Sequence, residues 1–267
     1  MNADSPEVMP QSLGSRWIET FDPDGISIQT ASGFVVFQDD RHYLVSNKHV
    51  LGGLTHDNAY TPKFGRRLPA SAAVWFPSAQ DPTVGVRKRI ELLQPGAARW
   101  LKHPWTPCDI AAVELPQWDD VAMIDTHIGE TWVFGSRPRV EPGQDVFVIG
   151  FPLNRNGGTE TLGIWTRASL ANEPAFNIDE LPRILIDSAT IDGLSGSPVF
   201  AHWKRGENIP IIGGGAIGVL EHTSAFLGIY SGRIDERSNL GYVWRPNLIS
   251  EILQHRAVFD PVGDLLG

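Results

Sequence analysis

The chain has 267 residues, 42% of them hydrophobic and 20% charged, with a formal net charge of −9. That is enough apolar material for one large domain or two small ones, and too little charge for a disordered chain. The acidic balance excludes sequence-independent nucleic-acid binding, which needs a basic footprint to displace counterions; Arg66-Arg67 and Arg87-Lys88-Arg89 are too small to reverse it.

The first fifteen residues, MNADSPEVMPQSLGS, contain Asp4 and Glu7 and no apolar run of the kind a secretory signal needs. No stretch of about 20 apolar residues follows that could span a membrane. The single cysteine, Cys108, excludes an intramolecular disulfide. Together these predict a cytoplasmic protein with no membrane partner. With 27 glycines and 20 prolines, turns are frequent and the apolar segments between them short. In chain order the segments are GFVVF (33–37), HYLVS (42–46), AAVWF (72–76), IAAVEL (110–115), ETWVF (130–134), DVFVIGF (145–151), PRILID (182–187) and PVFAHW (198–203). Each is rich in β-branched and aromatic residues and bounded by turn formers, so the pattern predicts an all-β sandwich or barrel. Gln38 to Arg41 should form a compact hairpin loop. Only the C-terminus reads as helix: Pro246 suits a first-turn position, and Leu248, Ile249, Ile252 and Leu253 share one face. The stretch from Pro116 to Gly143 interrupts the strand pattern and is the expected internal boundary.

Chemistry enters at Gly193-Leu194-Ser195-Gly196-Ser197-Pro198. A serine flanked by glycines at −2 and +1 can sit on a tight turn with its hydroxyl exposed and backbone N–H groups converging beside it, as an oxyanion hole requires. Taken alone the motif also fits an ordinary Gly/Ser turn. A serine nucleophile needs a base, and the base an orienting carboxylate. Upstream, LVSNKHV places His49 at the end of an apolar strand, and CDIAAV opens another with Asp109.

The order His49, Asp109, Ser195, with SNKHV, DIAAVEL and DSATIDGLSGSPVF around them, resembles the trypsin/chymotrypsin-like serine proteases. The nearest branch is the bacterial one that includes glutamyl endopeptidases and the high-temperature-requirement proteases. Gly228 to Gly232 and Leu240 to Val243 resemble the paired strands that wall the specificity pocket. The resemblance implies two six-stranded antiparallel β-barrels with a C-terminal helix and the active site in the cleft between them. It divides the chain into an extension over 1–20, a first barrel over 21–125 carrying His49 and Asp109, and a second over 126–267 carrying Ser195, together one peptidase domain. His49 would be the base, Asp109 its orienting group and Ser195 the nucleophile, with the N–H groups of Gly193 and Ser195 as oxyanion hole. Ala189, Thr190, Tyr230, Ser231 and Gly232 would contact a protein or peptide substrate. No metal or cofactor is implied. Two alternatives are left open: a catalytically silent protease-fold binding module, and a latent protease activated by an unknown regulatory protein partner in stress or defence.

Two departures from the family bear on control and specificity. Leu194 replaces the aspartate that in digestive members pairs with a newly released N-terminal amine, so no zymogen switch of that type is expected. Ala189 replaces the aspartate of the tryptic pocket floor, and Tyr230 the pocket-wall histidine of glutamyl endopeptidases; a small or medium apolar residue is therefore expected before the scissile bond. Arg233 and Asp192 would bias the cleft in opposite directions. Gly213 to Gly218 satisfies G-x-G-x-x-G, but the sequence after it reads as strands, so a turn or loop near the substrate cleft is expected there rather than a dinucleotide site. Cys108 reads as a packed small residue, and the remaining histidines show no metal-ligand spacing.

Overall fold

The computed structural model describes residues 7–55, 59, 68–94, 97–105, 107–188, 191–235, 237–261 and 264. A short helix α1 (Pro10–Gly14) leads into β1 (Ser15–Phe21), β2 (Ser27–Gln38) and β3 (Arg41–Ser46), followed by the single-turn helix α2 (Lys48–Leu51). Then come β4 (Ser71–Pro77), β5 (Gly85–Glu91), β6 (Leu93–Gln94), β7 (Ala97–Ala98), β8 (Trp100–Lys102) and β9 (Ala111–Leu115). After a connection without named strands, the second half holds β10 (Asp145–Gly150), β11 (Ile164–Leu170), β12 (Arg183–Asp187), β13 (Pro198–Trp203), β14 (Asn208–Pro210), β15 (Ala216–Gly218), β16 (Thr223–Arg233) and β17 (Leu240–Trp244), and ends in helix α3 (Asn247–His255). No described helix is long and apolar enough to cross a membrane.

The fold is all-β, as the strand pattern predicted. The second half is a closed antiparallel barrel in the order β10-β11-β12-β17-β16-β13. The first is a seven-stranded sheet in the order β5-β4-β1-β2-β3-β9-β8, with β5 and β8 at its two ends although only residues 92–99 separate them in the chain. The sheet therefore curls until its edges approach each other, and the six-strand count expected becomes seven because the β6–β7 hairpin divides one strand into β5 and β8.

The runs GFVVF, HYLVS and IAAV are apolar on both faces because both faces are buried. Val35, Leu44, Ala111 and Val113 fill the interior of the first sheet with Ile18, Phe76 and Trp100. Their neighbours Phe34, Val36, Tyr43, Val45, Ile110 and Ala112 point the other way, onto Ile149, Phe200 and Phe226 of the barrel and onto Leu248, Ile249, Ile252 and Leu253 of α3. Period-two alternation thus divides one strand between two cores. The barrel has its own interior of Val146, Val148, Ile186, Val199 and Val243.

Local expectations fare unevenly. The β2–β3 connection is the compact hairpin loop expected, a tight turn with Asp39 and Asp40 both left-handed (φ 50° and 58°), whose twist matches the strands it joins. ETWVF forms no strand; it supplies only a Val133–Ser136 bridge around Phe134 and Gly135, both with positive φ. β1 starts inside the stretch expected as an extension, all but Phe21 falling within 1–20, and pairs on either side with β2 and β4. The Gly213 to Gly215 segment turns the β14–β15 hairpin, whose tip pairs with residues 137–139.

Candidate active site

His49 is placed by a change of secondary structure. β3 ends at Ser46, Asn47 is extended (φ −75°, ψ 153°), and the chain then winds into α2 with His49 in its single turn. The antiparallel register Ser46↔Ala111 brings the residues just before β9 beside those just after β3. Asn47 Nδ2 fastens this junction by donating to the Asp109 carbonyl at 2.9 Å. Asp109 Oδ1 accepts from the His49 backbone N–H at 3.0 Å, and Oδ2 lies 2.8 Å from His49 Nδ1. A carboxylate only accepts, so Nδ1 is the donor, and in the neutral ring Nε2 is left with its lone pair.

Asp109 is 5% exposed, and its carboxylate takes a third hydrogen bond, at 2.5 Å from Ser231 Oγ. Burial by itself pushes the carboxyl upward. The His49 ring, its two hydrogen bonds and the Ser231 hydroxyl outweigh that and hold the group below the ordinary carboxylate range. Ser231 reaches Asp109 because the β16–β17 register shifts between Tyr230 and Gly232, a bulge that re-aims one side chain. Its hydroxyl therefore faces the carboxylate. Tyr230 is buried, its ring so close to Gly241 that a Cβ there would stand 2.6 Å from it. Ala189 and Thr190 lie outside the described residues.

Ser195 sits on the turn that leads into β13. Gly193 (φ +98°) and Gly196 (φ +84°) occupy the left-handed region, and neither has room for a side chain. A Cβ on Gly193 would stand 2.5 Å from the Phe151 carbonyl oxygen, and one on Gly196 would overlap the Ser32 carbonyl and the Ser46 hydroxyl. Gly196 N–H donates to the Tyr230 carbonyl and Tyr230 N–H to the Ser197 carbonyl, each at 2.9 Å, so β16 grips the turn. Among the described residues the N–H groups of Gly193 and Ser195 have no hydrogen-bond partner. The Ser195 hydroxyl likewise makes no hydrogen bond among them: the structure couples His49 to Asp109 directly, and Ser195 to the first sheet through its carbonyl, which accepts from Ser32 N–H at 2.9 Å.

Ser32, Asn47 and the bulge at Ser231 are the parts that sequence reasoning missed. The only signals were a small polar residue before Gly33 and a glycine after Ser231. Cys108, beside Asp109, is buried, and burial pushes its thiol upward, away from the thiolate a nucleophile requires.

A family model described as a trypsin-like peptidase domain matches residues 31–209, a span that contains His49, Asp109 and Ser195. Among solved structures, the active form of the Rv3671c protease from M. tuberculosis is similar at 17% identity over 95% of this chain and 85% of that one, with a TM-score of 0.50. The serine endoprotease from Yersinia pestis shares 14% identity over 94% of this chain and 67% of that one, also at 0.50. The thermostable serine protease AL20 from an extremophilic microorganism shares 12% over 93% and 99%, again at 0.50. At these identities the likeness establishes the fold alone. No curated protein sequence matches the chain. With its double-β architecture and a family match over most of its length, the chain belongs to the trypsin-like peptidase domain family.

Proposed function

We propose that the protein is a serine endopeptidase that cleaves protein or peptide substrates through His49, Asp109 and Ser195. The observation that carries this reading is the three-fold grip on Asp109 from the His49 backbone, the His49 ring and Ser231. A buried carboxylate held ionised against one ring nitrogen fixes the tautomer that leaves Nε2 able to accept a proton.

When substrate binds, Ser195 Oγ attacks the scissile carbonyl carbon while His49 Nε2 takes its proton. The carbonyl oxygen becomes an oxyanion and is received by the N–H groups of Gly193 and Ser195, which have no partner among the described residues. His49 returns the proton to the leaving nitrogen, the C–N bond breaks, and an acyl ester remains on Ser195. Water, deprotonated by His49, then attacks the ester, and collapse of the second tetrahedral species releases the acid and restores the serine. Asp109 stays a carboxylate throughout and stabilises the imidazolium that forms twice per cycle. The residue expected before the scissile bond is small or medium and apolar, in keeping with the bulk of Tyr230 beside the turn.

A fluorophosphonate probe tests the nucleophile: wild type should be labelled and Ser195→Ala should not. A peptide blocked at both ends tests for internal cleavage. Absence of labelling and of cleavage by the folded wild type would favour the binding module.

A further inference from the structure

We propose that the Ser32 hydroxyl is a positioning residue that locks the Ser195 turn in the shape in which its N–H groups can receive an oxyanion. The inference rests on the peptidase reading and assigns control of the oxyanion hole to a side chain in the other half of the molecule.

In a trans peptide the C=O and N–H point in opposite directions, so whatever holds a carbonyl also aims the N–H of the next residue. All four carbonyls around the nucleophile are held. Asp192 O accepts from Leu153 N–H at 2.7 Å, which turns the Gly193 N–H away from Leu153. Leu194 O accepts from Ser197 N–H at 2.9 Å, which does the same for the Ser195 N–H. Ser195 O accepts from Ser32 N–H at 2.9 Å. The fourth, Gly193 O, accepts from Ser32 Oγ at 2.8 Å, and this is the one contact of the four made by a side chain.

It is also the contact at the softest point. Glycine rotates through φ > 0 without steric cost, so the 193–194 peptide is the one most easily turned over; turning it over would pull the Leu194 N–H from the Ile191 carbonyl and swing the flanking Gly193 and Ser195 N–H groups off their common aim. The buried Leu194 side chain offers no polar anchor, and its N–H makes only a long bond, 3.4 Å, to the Ile191 carbonyl. Ser32 is fully buried, and its hydroxyl accepts from Phe151 N–H at 3.0 Å, which orients the oxygen so that its proton is directed at Gly193 O. Ser46 Oγ fixes the Ser32 carbonyl in turn at 2.7 Å. Phe151 thus holds the hydroxyl and Ser46 the backbone behind it, and the hydroxyl proton goes to the turn.

The test compares Ser32→Ala with Ser15→Ala, another fully buried serine whose hydroxyl bonds a barrel carbonyl, that of Ile149, away from the turn. Ser32→Cys, similar in size but a weak donor, should fall between Ser32→Ala and wild type and serves if the alanine variant does not fold. With a peptide substrate, Ser32→Ala should lower kcat about 10- to 100-fold with KM within about three-fold, less than the 10²–10³ for outright loss of one oxyanion donor. Affinity for a peptide aldehyde, whose adduct oxygen occupies the hole, should fall in parallel. Hydrogen exchange read by mass spectrometry should show the 191–198 segment exchanging at least about ten-fold faster, through the paired amides of Gly196 and Ser197. Ser15→Ala should change neither. A folded Ser32→Ala protein with kcat and 191–198 exchange within two-fold of wild type overturns the proposal, as does an equal effect in Ser15→Ala. If wild type itself neither hydrolyses peptides nor takes a fluorophosphonate, the peptidase reading fails, and the exchange comparison still decides whether Ser32 locks the turn.

Discussion

The barrel of β10, β11, β12, β17, β16 and β13 closes through hydrogen-bonded neighbours all the way round, whereas the seven-stranded first sheet leaves β5 and β8 at opposite ends of its order. A closed barrel has no edge to protect; the first sheet has two and treats them differently. The outer side of β8 is covered by the segment after α3, through Lys102 N–H to the Ala257 carbonyl and the Leu101–Val258 bridge. β5 carries Arg87, Lys88, Arg89 and Glu91, charges that discourage edge-to-edge pairing with another chain. The halves differ in chemistry as well. The first contributes side chains, His49 and Asp109, joined where two central strands end. The second contributes, on the proposed reading, a serine on a backbone turn. A side-chain pair is broken by one substitution, while a backbone turn is broken only through what holds it.

The largest expected effects separate these contributions by rate. Ser195→Ala removes the nucleophile and should lower kcat by about 10⁶, the scale on which loss of a nucleophile acts. Asp109→Asn should cost about 10⁴, because the new amide donates to His49 Nδ1 and forces the proton onto Nε2, the nitrogen that must accept from Ser195. Steady-state peptide hydrolysis measures both; equal activity of wild type and Asp109→Asn would remove the carboxylate from the mechanism.

The same carboxylate links the first half to pH. Its folded value lies below the ordinary one of about 3.9, so the stability it confers is fully present above that value. As pH falls through the lower folded value, the proton taken up abolishes it. Urea unfolding at pH 6, 4 and 3 should show wild type losing stability more steeply than Asp109→Asn between the last two points. Parallel losses would mean that the hydrogen bonds to Asp109 confer no net stability.

Packing gives the next effect. Trp100, 1% exposed, stacks on Phe259 at 4.4 Å and fills the first sheet where its order fails to close. Trp100→Ala should cost about 3–5 kcal/mol in unfolding free energy, as large-to-small changes in cores do. Calorimetry that instead found a loss below about 1 kcal/mol would mean the open side is not packed against the C-terminal segment.

Those features divide into what the sequence discloses and what it hides. His49, Asp109 and Ser195 were legible because each sits in a motif whose neighbours repeat a known pattern, and GFVVF or PVFAHW because burial on both faces leaves continuous apolar runs. β1 was hidden in SRWIETF, where Arg16, Glu19 and Thr20 break the apolar run. β5 was hidden because an edge strand carries charges. Ser32 was not legible as part of the site, and Ser231 was read as a substrate contact rather than a partner of Asp109, since a lone serine signals nothing until the register or a bulge decides where its hydroxyl points. ETWVF misled for the opposite reason: it has strand composition, but Phe134 and Gly135 turn the chain back before a ladder can form.

The smallest effect falls where the two halves meet on one carboxylate. Ser231 belongs to the barrel, Asp109 to the first sheet, and their hydrogen bond ties the barrel to the side-chain pair. Ser231→Ala leaves both His49 contacts to Asp109 intact and removes one donor to a charged acceptor, a loss of about 1.5 kcal/mol at the low end for such bonds. If that loss is felt in the transition state, where Asp109 must support a charged imidazole, kcat should fall about ten-fold and KM should hold. If it is felt only in the ground state, the unfolding midpoint should drop and kcat should not. Measuring both on the same variant decides whether the bulge at Ser231 serves catalysis or only the fit between the halves. The geometry favours catalysis, because the hydroxyl reaches Oδ2, the same oxygen that faces the His49 ring.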